Sequence, residues 1–567
     1  MFTTSFRSGL CSPHRLRRAE SGMALFMVLL LIVIVTVIGL GLLAMSDTET
    51  MVNGNYKDTQ LAFFAMRSGL EEVRNRMRIN AANTITGGNC TSTPCLPSAV
   101  PGNANSILYI LNPAAGETVD PTSASGGSNS QYFDDEFCHE HFYSNPNGVS
   151  TILTDAGTGI PCPSTSGPSS AWAMKFNSTS PGTGTAAALK YKWVRVTLKQ
   201  NGSVPNSVVD ASQGLGVQVC FQTFNNQEIP LTLVPGYSTS NYASCAVAQA
   251  AGQDAGPVYL VTSLAVTPQG SRRIGQFEVA GYTITPPPAG LGLDGPGVNF
   301  GPPDTSNNFS INGNDSGTGG FAGPGSPVAS CPGPAQVPAI SVGDNPSVTS
   351  TDNAIPQNRW NNYTGTASPN PPAPTPPPTP PSVVNEGPAP GLGGLTGVWS
   401  NPAQLNQLVN NLANVADTTY SSCSMYGNTY NGASSPCTPG GTIGTDANPQ
   451  ITFVNGDFNM SATSGAGVLV VTGTLTAKGV PAFDGLILVI GQGNFQASGG
   501  GSGTFNGTIF IAQTNSHTAP YAQLATMGAP AFGWNGGGTN GIQYNSCWAN
   551  LANQLEYNVL ATREEMY

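Results

Sequence analysis

Residues 23–45 read MALFMVLLLIVIVTVIGLGLLAM, an almost unbroken apolar run near the start of the chain. Thr36 is its one polar side chain, and Gly39 and Gly41 are the only other weak points in the apolar pattern. At about 1.5 Å per residue the run makes a helix of roughly 34 Å, longer than a hydrocarbon core of about 30 Å. The apolar core of a secretory signal is shorter. The sequence therefore predicts one membrane-spanning helix.

The charges on either side of this run predict its orientation. Four arginines within residues 1–22 stand against one opposing charge, Glu20, whereas Asp47 and Glu49 are the first charged residues after the run. Positively charged flanks of a membrane helix stay in the cytoplasm. We therefore expect a single pass, with the C-terminal part of the chain outside the cytoplasm.

The junction before the run carries a second signal. A short basic leader that ends in Gly22, followed at once by an apolar run from Met23, is similar to the leaders of type IV prepilins. In those proteins a peptidase on the cytoplasmic face cuts after the glycine, and the helix later packs in the core of a fibre. An ordinary single-pass anchor is the alternative interpretation of this junction.

The residues after the run extend the likeness. Residues 45–74 read MSDTETMVNGNYKDTQLAFFAMRSGLEEVR, with a polar patch, a Gly-Asn pair, and a helical segment ending in Gly-Leu and acids. Together with the apolar helix, this segment resembles the N-terminal domain of PilX-type minor pilins, over residues 22–77. The resemblance implies a structural component of a type IV pilus, inserted by its N-terminal helix and contributing to pilus assembly, initiation or adhesion. It also implies other pilins, pilus assembly proteins and the prepilin peptidase as partners, and the inner membrane, then the pilus or cell surface, as locations.

One position departs from the pilin pattern. Most pilins carry glutamate at the fifth residue after the cleavage site, and here that residue is Met27. In the family the buried carboxylate is thought to pair with the free amine of a neighbouring subunit, which offsets the cost of a charge in the bilayer. Met27 therefore argues against a major, many-copy pilin.

Composition indicates an extracellular protein rich in β and loop structure. Only 9% of residues are charged, while the chain contains 70 glycines and 47 prolines. The net charge is −11, and removal of residues 1–22 would make it three charges more acidic. Such a field repels nucleic acid, and no run of Lys and Arg supplies a local basic patch. We therefore expect no nucleic-acid partner.

The cysteines predict disulfides. Eleven are present, and ten remain beyond residue 22, an even number that suits an exported chain. Near-neighbour pairing would join Cys90 to Cys95, Cys138 to Cys162, Cys220 to Cys245, Cys423 to Cys437, and Cys331 to Cys547. Free or metal-bound thiols are the alternative, although no close CxxC pair favours zinc.

The chain divides into five segments of an α+β protein. We expect a prepilin leader at 1–22, a transmembrane and pilin helix at 23–80, a pilin-like head with an antiparallel sheet at 81–284, a Gly/Pro-rich linker at 285–398, and a β-rich module with flanking helices at 399–567. The spacing of Ala62, Met66, Leu70, Val73 and Met77 predicts a helical stripe that packs on the head. Gly54 is a weak point where the helix is expected to bend or melt.

The alternation of side chains along three segments predicts the strands of the head. Residues 190–199 place Val194 and its alternate neighbours on one face and Trp193, Arg195 and Thr197 on the other, which predicts a half-buried strand. Residues 258–266 and 276–284, joined by a turn at Gly270, predict an antiparallel hairpin.

The segment 399–567 contains a repeating sequence pattern. Short apolar strands alternate with glycine-led motifs that start at Gly456, Gly473, Gly493 and Gly507. Strands buried on both sides and recurring at this spacing predict a short parallel β-solenoid, with a plain β-sandwich as the alternative. An amphipathic helix is expected after Asn401-Pro402, and a last helix over residues 548–564.

Signals for chemistry are weak. The densest polar cluster, residues 134–141, holds four acids with His139 and His141, but these histidines lack a third ligand fixed by spacing. We therefore interpret the cluster as a solvated loop, keep His139 and His141 as weak metal candidates, and expect no cofactor. Catalytic signatures are absent, so no enzyme activity is expected. The alternative function is a membrane-anchored extracellular carbohydrate-binding protein or enzyme, for which Asp457 and Asp484 are the only acids of the repeat region.

Overall fold

The computed structural model is a mixed α+β protein with one long N-terminal helix and a β-rich remainder. It describes residues 20–78, 84–86, 93–101, 103–122, 130–140, 172–178, 191–203, 208–251, 253–281, 284, 287, 289–303, 308–317, 320–321, 327–328, 336–366, 380–387, 397–461, 464–479, 482–498, 503–536, 541–549 and 557–565. The helices are α1 (Glu20–Arg76), α2 (Glu136–His139), α3 (Cys245–Ala250), α4 (Asn345–Ala354), α5 (Pro402–Asn414) and α6 (Ser546–Ala549).

The strands fall into two groups along the chain. The earlier group is β1 (Ile107–Leu111), β2 (Ala173–Asn177), β3 (Tyr191–Leu198), β4 (Val219–Gln222), β5 (Gln227–Pro230), β6 (Gly256–Val266) and β7 (Arg272–Gly281). The later group is β8 (Leu291–Asp294), β9 (Asn299–Gly301), β10 (Ser310–Asn312), β11 (Gly320–Phe321), β12 (Pro327–Val328), β13 (Ile340–Val342), β14 (Tyr363–Thr364), β15 (Val383–Asn385), β16 (Thr418–Tyr420), β17 (Gln450–Val454), β18 (Phe458–Ser461), β19 (Ser464–Val471), β20 (Thr474–Lys478), β21 (Ala482–Gly491), β22 (Asn494–Ser498), β23 (Thr504–Gln513), β24 (Ala531–Asn535), β25 (Gly541–Tyr544) and β26 (Tyr557–Glu565).

An eight-stranded sheet carries α1. It contains β1–β7 together with β26 from the far end of the chain. Strands β1 and β2 pair in parallel, and the other pairs, including the predicted hairpin β6–β7, are antiparallel. Gly270 forms the hairpin turn with a φ of 93°, a conformation that glycine adopts without strain.

Strand β3 lies at the centre of this sheet and is buried on both faces. Val194 and Val196 pack towards α1, whereas Trp193 packs with Tyr109 and Phe137 on the opposite face. The prediction of a half-buried strand is wrong, because the segment before residue 140 covers the face that was expected to meet solvent.

All the later strands except β11, β12 and β26 build two parallel sheets, and the chain alternates between these sheets from β17 to β25. Strands β17, β19, β21 and β23 pair in parallel within an eleven-stranded sheet, and β18, β20, β22 and β24 pair in parallel within a five-stranded sheet. Apolar side chains from both sheets face each other and fill one core. Within it Phe495 and Phe532 stack with ring centroids 5.0 Å apart, and Phe300 continues the stack at 5.4 Å.

Part of the segment expected to be a linker belongs to these sheets. Strand β8 pairs in parallel with β23, β9 with β24, and β13 with β8. The prediction of a linker over 285–398 is therefore wrong for these elements and for α4. Strands β8 and β9 are four and three residues long and pair with residues 218 and 232 positions away, as in Leu291 with Ile509 and Asn299 with Ala531, so no local pattern reveals their pairing. The proline-rich run at 368–379 lies outside the described residues.

Helix α5 confirms its sequence signal, whereas the helix predicted over residues 548–564 is wrong from Tyr557 onward. The Asn401 side chain accepts hydrogen bonds from the amides of Ala403 and Gln404, at 3.0 and 3.2 Å, and caps α5. The apolar side of α5 covers the outer face of the eleven-stranded sheet. Residues 557–565, expected to be helical, instead form β26 on the edge of β7. The hydrogen bonds offered by that edge override helical spacing.

Candidate functional site

The first half of α1 is exposed and apolar on all sides. Its large side chains between Met23 and Val52 are exposed by 45% at Leu30 to 71% at Met23 and Met51. A helix that is apolar all round belongs in a membrane or in the core of a larger assembly. Among the described residues, α1 is the one helix long and apolar enough to cross a membrane, which is consistent with single-pass anchoring.

Polar hydrogens in this half are satisfied within the helix. The Thr36 hydroxyl donates to the carbonyl oxygens of Ile32 and Val33, at 2.9 and 2.8 Å. Thr48 donates in the same way to Ala44 at 2.7 Å. Because hydrocarbon offers no partner to a hydroxyl, these internal bonds suit a lipid environment.

The predicted processing site lies at the start of this helix. Gly22 and Met23 fall in the first turn of α1, which begins at Glu20. Met27, in the second turn after Gly22, is 63% exposed. Whether the chain is cut between Gly22 and Met23 stays a prediction.

The second half of α1 packs on the eight-stranded sheet, as the stripe predicts. Ala62, Met66, Leu70, Val73 and Met77 are at most 3% exposed. They pack on apolar side chains of three central strands, among them Val194, Val196, Tyr259, Val261, Phe277 and Val279. The helix continues through Gly54 without the expected break. One helix therefore joins an unpacked apolar half to a firmly packed half.

Two glycines set how closely α1 approaches the sheet. A Cβ added at Gly69 would lie 2.6 Å from the Ser263 hydroxyl and 2.8 Å from Cγ of Tyr191. A Cβ added at Gly275, in β7, would clash with the Met66 sulfur. At Gly69 an added side chain would have to displace the Tyr191 ring, whereas at Gly275 it would have to displace the more flexible end of Met66.

An ion pair closes the end of this packed half. The Arg76 guanidinium lies 3.6 Å from Glu72, and its Nη1 donates to the Ser178 carbonyl at 2.9 Å. Burial raises the pKa of Glu72, against the opposing effects of Tyr191 and Arg76. The helix end is thus tied to the sheet by charge as well as by apolar contact.

Five polar side chains form a row across the opposite face of the sheet. Neighbouring strands place them side by side in the order Tyr109, Arg195, Thr262, Gln276 and Arg563. The first four are at most 2% exposed. Such a row is stable only where partners satisfy its charges and hydrogen bonds.

Acids from the segment before residue 140 supply those partners. Asp134 accepts hydrogen bonds from the Tyr109 hydroxyl and from Arg195, both at 2.6 Å. Glu140 accepts from Arg195 and from the Gln276 amide. Burial raises the pKa of Glu140 to about 7, while Arg195 opposes that shift.

The prediction of a solvated acidic loop is therefore wrong. Asp134, Glu136 and Glu140 are at most 1% exposed, and Glu136 pairs with Arg563 at 2.7 Å. Their carboxylates neutralise arginines of the sheet, so their role is structural. The side chains of His139 and His141 lie outside the described residues, and no cluster of three metal-ligating acids, histidines or cysteines occurs among the residues that are described.

A second buried cation lies at the end of β3. Lys199, with a side chain only 1% exposed, is 2.7 Å from Glu228 and 2.5 Å from Glu278. Burial raises the pKa of Glu228, and Lys199 opposes the shift. This triad links the end of β3 to β5 and β7.

Two of the predicted disulfides are confirmed. Cys220 bonds to Cys245 and Cys423 bonds to Cys437, with Cα atoms 5.6 and 4.9 Å apart. Cys95 and Cys547 are also disulfide-bonded. The remaining predicted partners, whose side chains lie outside the described residues, are Cys90, Cys138, Cys162 and Cys331. The pairings predicted for them stay predictions.

The two acids of the repeat region lie apart in the fold. Asp457 precedes β18 of the five-stranded sheet and accepts hydrogen bonds at 2.7–2.8 Å from the Ser424 hydroxyl and from the amides of Tyr426, Gly427 and Thr474. Asp484 lies in β21 of the eleven-stranded sheet. Burial raises the pKa of Asp484 to about 6, while Asn506 lowers it and Asp446 raises it further. Asp457 therefore organises a loop rather than facing a second catalytic carboxylate.

No local sequence pattern indicates the buried row of polar side chains or the close approach of α1 at Gly69 and Gly275. The one signal in the sequence is Arg195, a charged residue within an apolar strand. Its neighbours on adjacent strands depend on the strand register, which a single segment of sequence does not show. Comparisons with protein-family models, with curated proteins and with solved structures find no match to this chain.

Proposed function

We propose that the chain is a minor pilin-like component of a type IV pilus, held in the inner membrane by α1 before it enters the fibre. The observation that carries this proposal is the division of α1 into an apolar exposed half and a half packed on a sheet. The exposed half needs lipid or neighbouring helices around it, and the packed half fixes the rest of the chain to it. This role needs no catalytic site.

The proposal extends to the fold. The eight-stranded sheet with α1 serves as a pilin-like head, and the two parallel sheets form a short β-solenoid. Alternation of the chain between sheets with in-register parallel pairing supports the solenoid, because a sandwich built from hairpins would pair antiparallel strands.

Met27 supports a minor role within the fibre. No charged residue occurs between Met23 and Ser46, so this helix brings no carboxylate that a neighbouring subunit must neutralise. The subunit can therefore associate through apolar packing alone, which suits initiation or adhesion better than many-copy assembly.

The mature N-terminus tests the proposal. The full chain is produced in a bacterium that makes type IV pili, and the N-terminal peptide is identified by mass spectrometry in membranes and in sheared fibres. We expect it to begin at Met23 in both fractions. Gly22→Leu should leave residues 1–22 attached, whereas Gly39→Leu, where an added Cβ meets nothing within 4 Å, should be processed normally.

Two results would overturn the proposal. One is a membrane-bound chain that keeps its first residues in the presence of an active prepilin peptidase. The other is a correctly cut chain that never occurs in sheared fibres.

A further inference from the structure

An open groove runs across the outer face of the five-stranded sheet. Its volume is about 950 Å³, and strands β9, β20, β22 and β24 supply most of its lining. Side chains alternate along these strands, so the phenylalanines point into the core and the intervening positions point outward. The outward positions are Thr474, Thr476, Lys478, Asn494, Gln496, Ser498, Ala531, Gly533, Asn535, Asn299 and Gly301.

The outward residues form ordered rows. Thr476, Gln496, Gly533 and Gly301 lie side by side on successive strands, about 4.8 Å apart. The two glycines leave a flat floor, since a Cβ added at Gly533 would meet no atom closer than 3.9 Å. Hydroxyl and amide side chains therefore recur along the groove at the spacing of the strands. That spacing is close to the length of one sugar unit in a polysaccharide chain.

An aromatic side chain, Tyr426, stands at the edge of the groove. Tyr426 is half-buried and has a φ of 49°, which fits the two-residue turn that it forms with Gly427 between Met425 and Asn428. Asp457 holds this conformation by accepting from the Tyr426 amide at 2.8 Å. The Tyr426 ring stacks on His517, with centroids 4.0 Å apart and planes at 10°. Tyr426 therefore places an aromatic ring beside the polar side chains of the groove.

The charge of the groove restricts its ligand. Lys478 is the one charged side chain among the described residues that line it. A nucleic acid or a polyanionic glycan would need several cations. A peptide that adds a strand would lie beside β9, at the edge of the sheet, and not across β20, β22 and β24, which form most of the groove floor and are paired on both sides.

We propose that this groove binds an uncharged polysaccharide, which lies across the strands with sugar hydroxyls on the amide and hydroxyl rows. Tyr426 provides an aromatic surface for the apolar face of a sugar ring. The inference concerns the five-stranded sheet alone and stands whether or not the chain enters a pilus.

Titration calorimetry on the full chain in detergent tests the inference. The probes are maltohexaose, cellohexaose, chitohexaose and mannohexaose, with hexagalacturonate as an anionic comparison. We expect at least one neutral probe to bind. Gly533→Gln, which places a side chain on the groove floor, should weaken that binding at least about tenfold. Gly441→Gln adds the same side chain at an exposed position with nothing within 4 Å and should leave binding unchanged.

A second variant guards against misfolding. Gln496 is exposed in the groove, so Gln496→Ala should weaken binding without loss of thermal stability. Failure of all four neutral probes to bind at millimolar concentration would overturn the inference. Preference for hexagalacturonate, or equal binding by the wild type and both groove variants, would overturn it as well.

Discussion

Replacing Gly69 by alanine should loosen the packed half of α1, whereas the same change at Gly54 should strengthen the helix. Both residues lie in the interior of one helix, where alanine is favoured over glycine by about 1 kcal/mol. Only Gly69 faces the sheet, with the Ser263 hydroxyl 2.6 Å from the added Cβ; at Gly54 nothing lies within 4 Å. Both variants gain the same helix propensity, so the difference between their stabilities measures the cost of the contact between the added Cβ at position 69 and the sheet.

The magnitude follows from the packing. Overfilling a close-packed contact costs about 1–3 kcal/mol, so Gly69→Ala should lie below Gly54→Ala in stability by that amount. This difference in stability can be measured from the hydrogen exchange of residues 57–76, followed by mass spectrometry on the full chain in detergent. Each 1.4 kcal/mol changes the exchange rate about tenfold when exchange proceeds through opening of the helix.

The reasoning fails if both variants slow exchange equally, because the sheet would then accommodate a methyl group at Gly69. It also fails if Gly54→Ala accelerates exchange in residues 57–76. That result would mean that a bend at Gly54 contributes to the packed state.

Two further predictions concern buried charge. Arg195→Met removes the cation between Asp134 and Glu140 and should lower the free energy of unfolding, measured by thermal denaturation, by about 3–5 kcal/mol. Arg272→Met removes the cation of a partly exposed pair with Asp135 and should lower it by less than about 1 kcal/mol. Equal losses in the two variants would contradict the argument from burial. Burial raises the pKa of Asp294 to about 7, so the folded state holds this proton more tightly than the unfolded chain and loses stability as pH rises from about 4 to about 7. Asp294→Asn should therefore raise the melting temperature at pH 8 and change it little at pH 3.5, with a gain of up to roughly 1.4 kcal/mol per unit of pKa shift; an equal effect at both pH values would refute the assignment.

The sequence predicts those elements correctly whose structure depends on one contiguous segment of the chain. The apolar run and the stripe from Ala62 to Met77 predicted α1 to within four residues at its C-terminal end, because helical spacing shows in a single segment. The hairpin β6–β7 was predicted for the same reason, since its strands adjoin in sequence.

Patterns failed where distant segments decide the outcome. Strand β8 forms because β23 offers it a parallel edge, and Leu291 alone does not reveal Ile509 as its neighbour. Arg195 was predicted to face solvent because alternation shows which residues share a face, but not what covers that face. The groove was missed for the same reason: its rows exist only once the strands are in register.

The eight-stranded sheet is completed by a strand that lies far along the chain from the other seven. Strand β7 ends at Gly281, yet its outer partner β26 begins at Tyr557, so the ribosome makes every intervening residue before that edge is closed. During this interval the open edge invites pairing with another nascent copy. Deletion of residues 557–565 would make that hazard permanent, and loss of this distant segment would appear as aggregation of the sheet that packs on α1.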